Sequence, residues 1–375
     1  MGRRADRRGP GGDGAGRARE TRAGGMNPPV LITGGAGFIG ANLADRLASE
    51  GRTVRVYDSL ARPGTERNLA WLRDRHGERI RFEQADIRDG ERLADAVAGS
   101  AAVFHFAAQV AVTTSLVDPV ADFGINIQGT MHLLEALRTR APHVPLVFAS
   151  TNKVYGDLAD LDFVLEDGAY RPVDAQVRAH GIGEARPLDF HTPYGCSKGA
   201  ADQYVLDYAR SFGLRTAVMR MSCIYGQRQM GTEDQGWVAH FLIRALRGEP
   251  ITLYGDGHQV RDILDVRDAV DAYRTAWRDI DRIAGRAFNL GGGPDNAVSL
   301  RQLLDHIGDL IGRPVAVRHA EWRAGDQRYF VADTRAATQA LALGDRIGWR
   351  AGVADLAEWL SREGGMAQPP VEVAA

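Results

Sequence analysis

Residues 30–40 read Val-Leu-Ile-Thr-Gly-Gly-Ala-Gly-Phe-Ile-Gly, and no other stretch limits the fold as much. Val30–Thr33 is apolar and β-branched, which predicts a short buried strand. A helical pattern follows over 40–49. Between them, glycines at 34, 37 and 40 have the spacing G-x-x-G-x-x-G. Glycine there turns the backbone sharply, lets a pyrophosphate approach the helix N-terminus, and at Gly40 lets the helix pack close to the sheet. A glycine triplet alone is a weak signal. Placed after a strand and before a helix, it predicts a dinucleotide site.

The alternation continues along the chain. Further strands are predicted at 53–57, 80–84, 102–106, 146–149, 216–221 and 287–291, with helical stretches after most of them, such as 200–212. This order predicts an α/β fold, a doubly wound parallel sheet of the Rossmann type with a smaller C-terminal substrate-binding lobe. The expected division is a Rossmann domain over 28–225, to which 258–291 returns, and a lobe from 226–257 and 292–367. Residues 1–27 are rich in Arg and Gly and too poor in large apolar side chains to offset ordering entropy, so a disordered extension is expected. Met26 is a candidate first residue, and 368–375 reads as a tail.

Net charge is −2, which gives no nucleic-acid footprint. No apolar run is long enough for a membrane span. Two cysteines, Cys196 and Cys223, supply neither a disulfide framework nor zinc-site spacing, so no metal is expected and a reducing, cytoplasmic location is the default. Cys196 is expected to be a small packing residue.

In a parallel sheet the C-terminal strand ends line the ligand crevice. Asp58 ends the second strand, where a carboxylate accepts from adenosine ribose hydroxyls and repels a 2′-phosphate. This favours NAD over NADP, although Arg62 lies close by. Asp86 is placed to meet the adenine. Ala107 and Ala108 are small enough to let a cofactor pass the backbone. His105 lies within its strand and reads as a packed core histidine.

Lys153 and Lys198 are the only lysines; the other 44 of 46 basic side chains are arginine. Tyr194 and Lys198 are four apart, which on a helix places both on one face. Spacing alone suits any amphipathic helix, and the nucleotide-binding start favours a functional reading. A lysine ammonium beside a phenol and the cationic nicotinamide both favour the phenolate, so the two together are expected to lower the pKa of Tyr194.

Taken together, TGGAGFIG (33–40), FHFAAQ (104–109), NIQGT (126–130), STNKVYG (150–156) and YGCSK (194–198) resemble an extended short-chain dehydrogenase/reductase. STNKVYGDL (150–158), 186–216, 220–241 and EWRAGDQRYFVADT (321–334) are similar to the CDP-paratose 2-epimerase group within it. The resemblance implies a C2 epimerase of a CDP-linked hexose with tightly bound NAD, assembled as a homodimer or homotetramer. It implies Thr151, Tyr194 and Lys198 as the catalytic set. For the cofactor it implies Gly34, Gly37, Phe38, Ile39, Asp58, Asp86, Ile87, Ala107, Ala108 and Gln109 besides Tyr194 and Lys198. Dehydratases of this superfamily place Asp-Glu after the threonine; here Asn152 and Lys153 stand there, argue against water loss, and are candidates for the sugar hydroxyls. Arg261 and Arg323 are implied at the diphosphate, where a guanidinium fork fits. Asp326 is expected to order its loop, and the stretch 157–191 to roof the sugar pocket. Two positions depart from the group's pattern: Asp265-Val266-Arg267-Asp268 replaces Tyr-Val-Asp-Asp, and Gln227 replaces proline after Gly226. Two alternatives stay open: C4 epimerisation of a UDP- or CDP-hexose, and a non-catalytic NAD-binding regulator.

Overall fold

The computed structural model describes residues 28–323 and 326–362. The expectations for the basic extension, Met26 and the C-terminal tail lie outside the described residues. Seven strands form one wholly parallel sheet: β1 (Val30–Thr33), β2 (Val54–Asp58), β3 (Ile80–Gln84), β4 (Ala102–His105), β5 (Leu146–Thr151), β6 (Thr216–Met221) and β7 (Arg286–Leu290). Their order is β7-β6-β5-β4-β1-β2-β3. The order reverses between β1 and β4, and at such a switch point a crevice opens beyond the strand ends.

Successive strand residues point to opposite faces and build two cores. Val30, Ile32 and Phe104 join one apolar cluster, packed under helices Phe38–Ser49, Thr65–His76 and Val266–Arg278. Leu31 and Val103 join the other, under Gly90–Ala98, Gly129–Arg140 and Thr192–Phe212. A fully buried Leu or Ile of this kind contributes roughly 1.5–3 kcal/mol.

A third cluster lies apart from the sheet. It gathers Tyr225, Phe241, Leu253, Ile263, Leu303, Trp349 and Leu360 from helices Trp237–Arg247, Leu300–Ile311 and Trp349–Arg362 and the strands between them. The strand Val260–Asp265 does not enter the main sheet. It pairs with Cys223–Tyr225, Ala297–Ser299 and Tyr329–Phe330. The helix Val266–Arg278 and β7 do return to the main sheet's layer.

The stretch 157–191 differs from the expected long loop. It contains a hairpin, Phe163–Glu166 with Ala169–Pro172, and the helix Ala175–His180. Its apolar side chains pack against Val260, Tyr329, Phe330 and Val331.

Candidate active site

A cleft of about 740 Å³ runs from the glycine-rich turn to the third cluster. Gly34 has φ +69°, and a Cβ there would lie 2.6 Å from the Ala107 nitrogen, so only glycine lets β1 and β4 end this close together. A Cβ at Gly40 would meet the Gly34 carbonyl oxygen at 2.3 Å, which confirms the close helix–turn packing. Gly37 caps the helix Phe38–Ser49 with no side chain bonded to the first turn. Those amide groups are left for an external anion.

Asp58 lines the cleft at the end of β2. Its Oδ2 accepts from the Ala36 amide at 3.0 Å and its Oδ1 from Leu60 at 2.9 Å, so the carboxylate also braces the turn. Burial raises its pKa against those hydrogen bonds. Arg62 also lines the cleft, and burial lowers its pKa. Asp86 lines it too, but its carboxylate is held by Arg88, with Nη2 to Oδ2 at 2.7 Å, and that contact lowers its pKa. Phe38, Ile39, Ile87, Ala107 and Ala108 complete this wall. Gln109 does not line it. Its amide donates to Asn126 Oδ1 at 2.9 Å and its side chain to the Ala111 carbonyl at 2.8 Å, which turns it away from the cleft. His105 is buried and neutral: its ring bonds Thr33 at 2.6 Å and Thr130 at 3.3 Å, and burial holds its pKa down at about 3.

Thr151, Tyr194 and Lys198 converge at mid-cleft. Thr151 ends β5. Tyr194 and Lys198 come from the helix Thr192–Phe212, which starts well before the predicted 200 and carries Pro193 in its first turn. All three are at least nine-tenths buried. Lys198 Nζ donates to the Ala149 carbonyl at 2.7 Å and lies 4.3 Å from the centre of the Phe148 ring. Burial lowers its pKa to about 8.

Lys198 by itself does not lower the pKa of Tyr194. The phenol's pKa is pushed up to about 12 by burial, a hydrogen bond with Thr151 lowers it, and the Asp122 carboxylate raises it. Burial wins because the Lys198 ammonium is directed to the Ala149 carbonyl rather than to the phenol. Beneath them, Asn126 in the widened turn Gly124–Gln128 donates to Asp122 at 3.1 Å and to Ser197 at 3.0 Å. The motif NIQGT contained this residue, but its spacing gave no sign of the contact. Behind Thr151, Ser150 donates to Asp202 at 2.7 Å, and Arg220 pairs with Asp202 at 2.9 Å, both wholly buried.

Asn152 and Lys153 line the next part of the cleft with Arg261 and Asp326. Lys153 is half-buried, and burial followed by the nearby Arg261 charge lowers its pKa to about 8. Arg261 is engaged internally: it donates to the Val260 carbonyl at 2.8 Å, the Gln327 carbonyl at 2.6 Å and Asp326 Oδ1 at 2.7 Å. Asp326 also accepts from the Gln327 amide at 3.0 Å, and it lines the cleft itself. Arg323 faces Glu233 at 3.4 Å and Asp234 at 3.6 Å and stacks over Tyr254, 3.9 Å from the ring centre. The far wall, from Arg228 to Phe241, falls in the stretch 220–241 that carries the resemblance, but no residue in it was among the predicted site residues; Trp237 and His240 lie in it. No residue of 157–191 lines the cleft, so this stretch is not its roof. Cys196 is exposed and does not pack as expected, because it lies on the outer side of the helix from Tyr194. Cys223 does line the cleft.

The chain matches the NAD dependent epimerase/dehydratase family over residues 30–291 and belongs to it. It is 41% identical over 339 residues to the CDP-paratose 2-epimerase of Salmonella typhi, covering 88% of this chain and 99% of that one. Its fold is similar to DesIV, a dTDP-glucose 4,6-dehydratase of Streptomyces venezuelae solved with NAD, at TM-score 0.77 and 28% identity, over 91% of this chain and 99% of that one. It is likewise similar to the Thermus thermophilus UDP-glucose 4-epimerase in complex with NAD, at TM-score 0.73 and 30% identity, over 89% and 99%. The chain is therefore an NAD-dependent enzyme of nucleotide-sugar type. The uncapped first turn at Gly37, the bare glycine surface and Asp58 at the end of β2 fit that cofactor. Among the described residues no helix is long and apolar enough to cross a membrane.

Proposed function

We propose that the protein inverts C2 of a CDP-linked hexose, CDP-paratose or CDP-glucose, through a transient 2-keto sugar. The observation that carries this is the 41% identity along nearly the whole chain to a CDP-paratose 2-epimerase. It coincides with Thr151, Tyr194 and Lys198 meeting in one buried cleft. Asn152 and Lys153 occupy the positions next to Thr151, and neither is an acid suited to water loss.

NAD, when bound, would supply a reversible hydride acceptor beside the sugar carbon. Tyr194 takes the proton from the sugar hydroxyl as the C–H bond breaks, and gives it back after the keto sugar has turned over. Thr151 bonds the same oxygen and steadies the keto form. A phenol at about 12 is a poor base at neutral pH. The positive charge of the cofactor's ring and the Lys198 ammonium are the two influences able to lower it on binding. Gly34, Gly37, Phe38, Ile39, Asp58, Asp86, Ile87, Ala107 and Ala108 form the cofactor wall. Asn152 and Lys153 hold sugar hydroxyls, while Arg261 and Arg323 serve the diphosphate; in the ligand-free protein both guanidiniums are neutralised by acidic neighbours. The elements of the third cluster, among them Trp237–Arg247, Val260–Asp265, Leu300–Ile311 and Trp349–Arg362, are the lobe that takes the sugar nucleotide, and the active form is a homo-oligomer in the cytoplasm.

The test uses pure protein without added cofactor, incubated with CDP-glucose or CDP-paratose in D₂O and followed by proton NMR. A manno-configured product with no deuterium at C2 is expected. Deuterium at C2 would refute hydride return in favour of proton abstraction. Inertness here with conversion of a UDP-hexose at C4 would make it a 4-epimerase, and inertness to every sugar nucleotide a binding protein. Tyr194→Phe should abolish the conversion and keep bound NAD, and wild-type turnover in that variant would remove Tyr194 from its role.

A further inference from the structure

Beyond the strand Cys223–Tyr225 the chain turns back toward the glycine-rich end of the cleft, where residues 227–230 are tied to three other elements. The Gln227 carbonyl accepts from Asn42 at 3.0 Å, and Asn42 lies in the helix that follows the glycine turn. The Arg228 carbonyl accepts from Asn68 Nδ2 at 3.3 Å, and the same group donates to the Ala36 carbonyl at 3.1 Å, inside that turn. One amide therefore bonds both the cofactor turn and the segment across from it. The Arg228 guanidinium lies 4.2 Å from the Trp71 ring centre and 5.2 Å from that of Trp359. Trp71 belongs to helix Thr65–His76 beside the main sheet, and Trp359 to the C-terminal helix Trp349–Arg362. Met230 closes on Gly64, where a Cβ would come within 2.8 Å of the Met230 Cγ.

Arg228 has φ +70°, a backbone conformation that a residue with a Cβ keeps only where its surroundings hold it. Neither the sheet nor the helices require these contacts. They join positions 160 and 185 residues apart in sequence, on opposite sides of the opening at the glycine turn. Asn68, Arg228 and Met230 all line the cleft there.

We infer that residues 227–230 are a strap that retains the dinucleotide, with Arg228 clamped between two tryptophans as its latch. NAD leaves only when the Asn42, Asn68 and tryptophan contacts open together. This rests on the family's cofactor and not on the choice of sugar. A latch of this kind suits an enzyme whose cofactor is restored in every turnover and has no need to dissociate.

The experiment measures NAD release from the purified full-length protein. Released NAD is trapped by alcohol dehydrogenase with excess ethanol and read as NADH absorbance. R228A should release NAD about tenfold faster, since two cation–ring contacts are lost. W71L removes one of the two contacts and should release NAD about threefold faster, although Trp71 does not line the cleft. The double variant should be little faster than R228A, because R228A already removes the contact with Trp71. An R228A protein with native circular dichroism and a release rate within twofold of wild type overturns the strap. So does full multiplication of the two single effects. Should R228A fail to fold, R228K reads the same latch, because it keeps the charge and loses the flat guanidinium. No sugar is present in this assay, so an inactive protein whose NAD is held by Arg228 would sink the epimerase reading and leave the strap intact.

Discussion

Replacing Lys198 by methionine should make the protein more stable and inactive at once. Lys198 is 5% exposed, and burial holds its pKa at about 8 instead of 10.5. That difference corresponds to roughly 3 kcal/mol against the charged form in the folded state at neutral pH. Methionine has a similar length and carries no such penalty. It forfeits the bond to the Ala149 carbonyl and the contact with Phe148, together worth roughly 1–2 kcal/mol. The net expectation is a gain of about 1–2 kcal/mol at pH 7. The gain also has a defined pH course. Below pH 8 the lysine is protonated in both the folded and unfolded states, and the penalty is constant. Between 8 and 10.5 the folded state loses its proton first, so rising pH favours folding of the wild type and shrinks the advantage of the variant. By pH 9.5 the advantage should have fallen by about 2 kcal/mol; Tyr194 is common to both proteins and cancels from the difference. The assay is equilibrium urea unfolding from pH 6.5 to 9.5, with both proteins freed of NAD so that ligand binding does not enter. Turnover with added NAD should drop at least about a hundredfold. A K198M protein less stable than wild type at pH 7 would refute the reasoning, as would an advantage that does not change with pH.

Two further outcomes follow from packing and burial. Gly40→Ala places a methyl 2.3 Å from a backbone oxygen and 2.8 Å from the Gly35 Cα, neither of which is a flexible side chain. The turn must shift, at a cost of about 1–3 kcal/mol in thermal or urea unfolding, and NAD content after desalting should fall with it; a variant purified with full NAD would show that the turn is tolerant. His105 stays neutral down to about 3 in the folded protein, while an unfolded histidine takes up a proton below about 6.5. Its contribution is complete above that pH and is lost as pH falls, by about 2 kcal/mol at pH 5. His105→Gln should flatten the stability profile between pH 6.5 and 5, and an unchanged slope would place the acid sensitivity elsewhere.

What could be read from the sequence was local, and what could not was set by distant contacts. The strand Val30–Thr33 and the glycine turn were legible because a buried strand and a turn each depend on a few adjacent residue types. The convergence of Thr151 with Tyr194 and Lys198 was legible only through the order of whole motifs, since 42 residues lie between Thr151 and Tyr194 and nothing in the intervening composition brings them together. Pro193 could have announced the early start of their helix, because proline is favoured in a first turn. Gln109 illustrates the limit: a motif can locate a backbone segment without saying which way a side chain turns, and here Asn126 takes its amide. The stretch 157–191 looked like a loop because its apolar residues have no partner nearby in sequence. Phe163, Tyr170 and Val177 find theirs at Val260, Tyr329 and Val331. Tyr194 follows the same rule for charge. Proximity of a lysine in sequence predicts a lowered pKa, but burial raises that of Tyr194 while the Lys198 ammonium is bonded to the Ala149 carbonyl, and both facts belong to the tertiary structure. The nicotinamide's positive charge, expected from the sequence beside that of Lys198, would act on this phenol only in the loaded enzyme, which would confine proton abstraction to it.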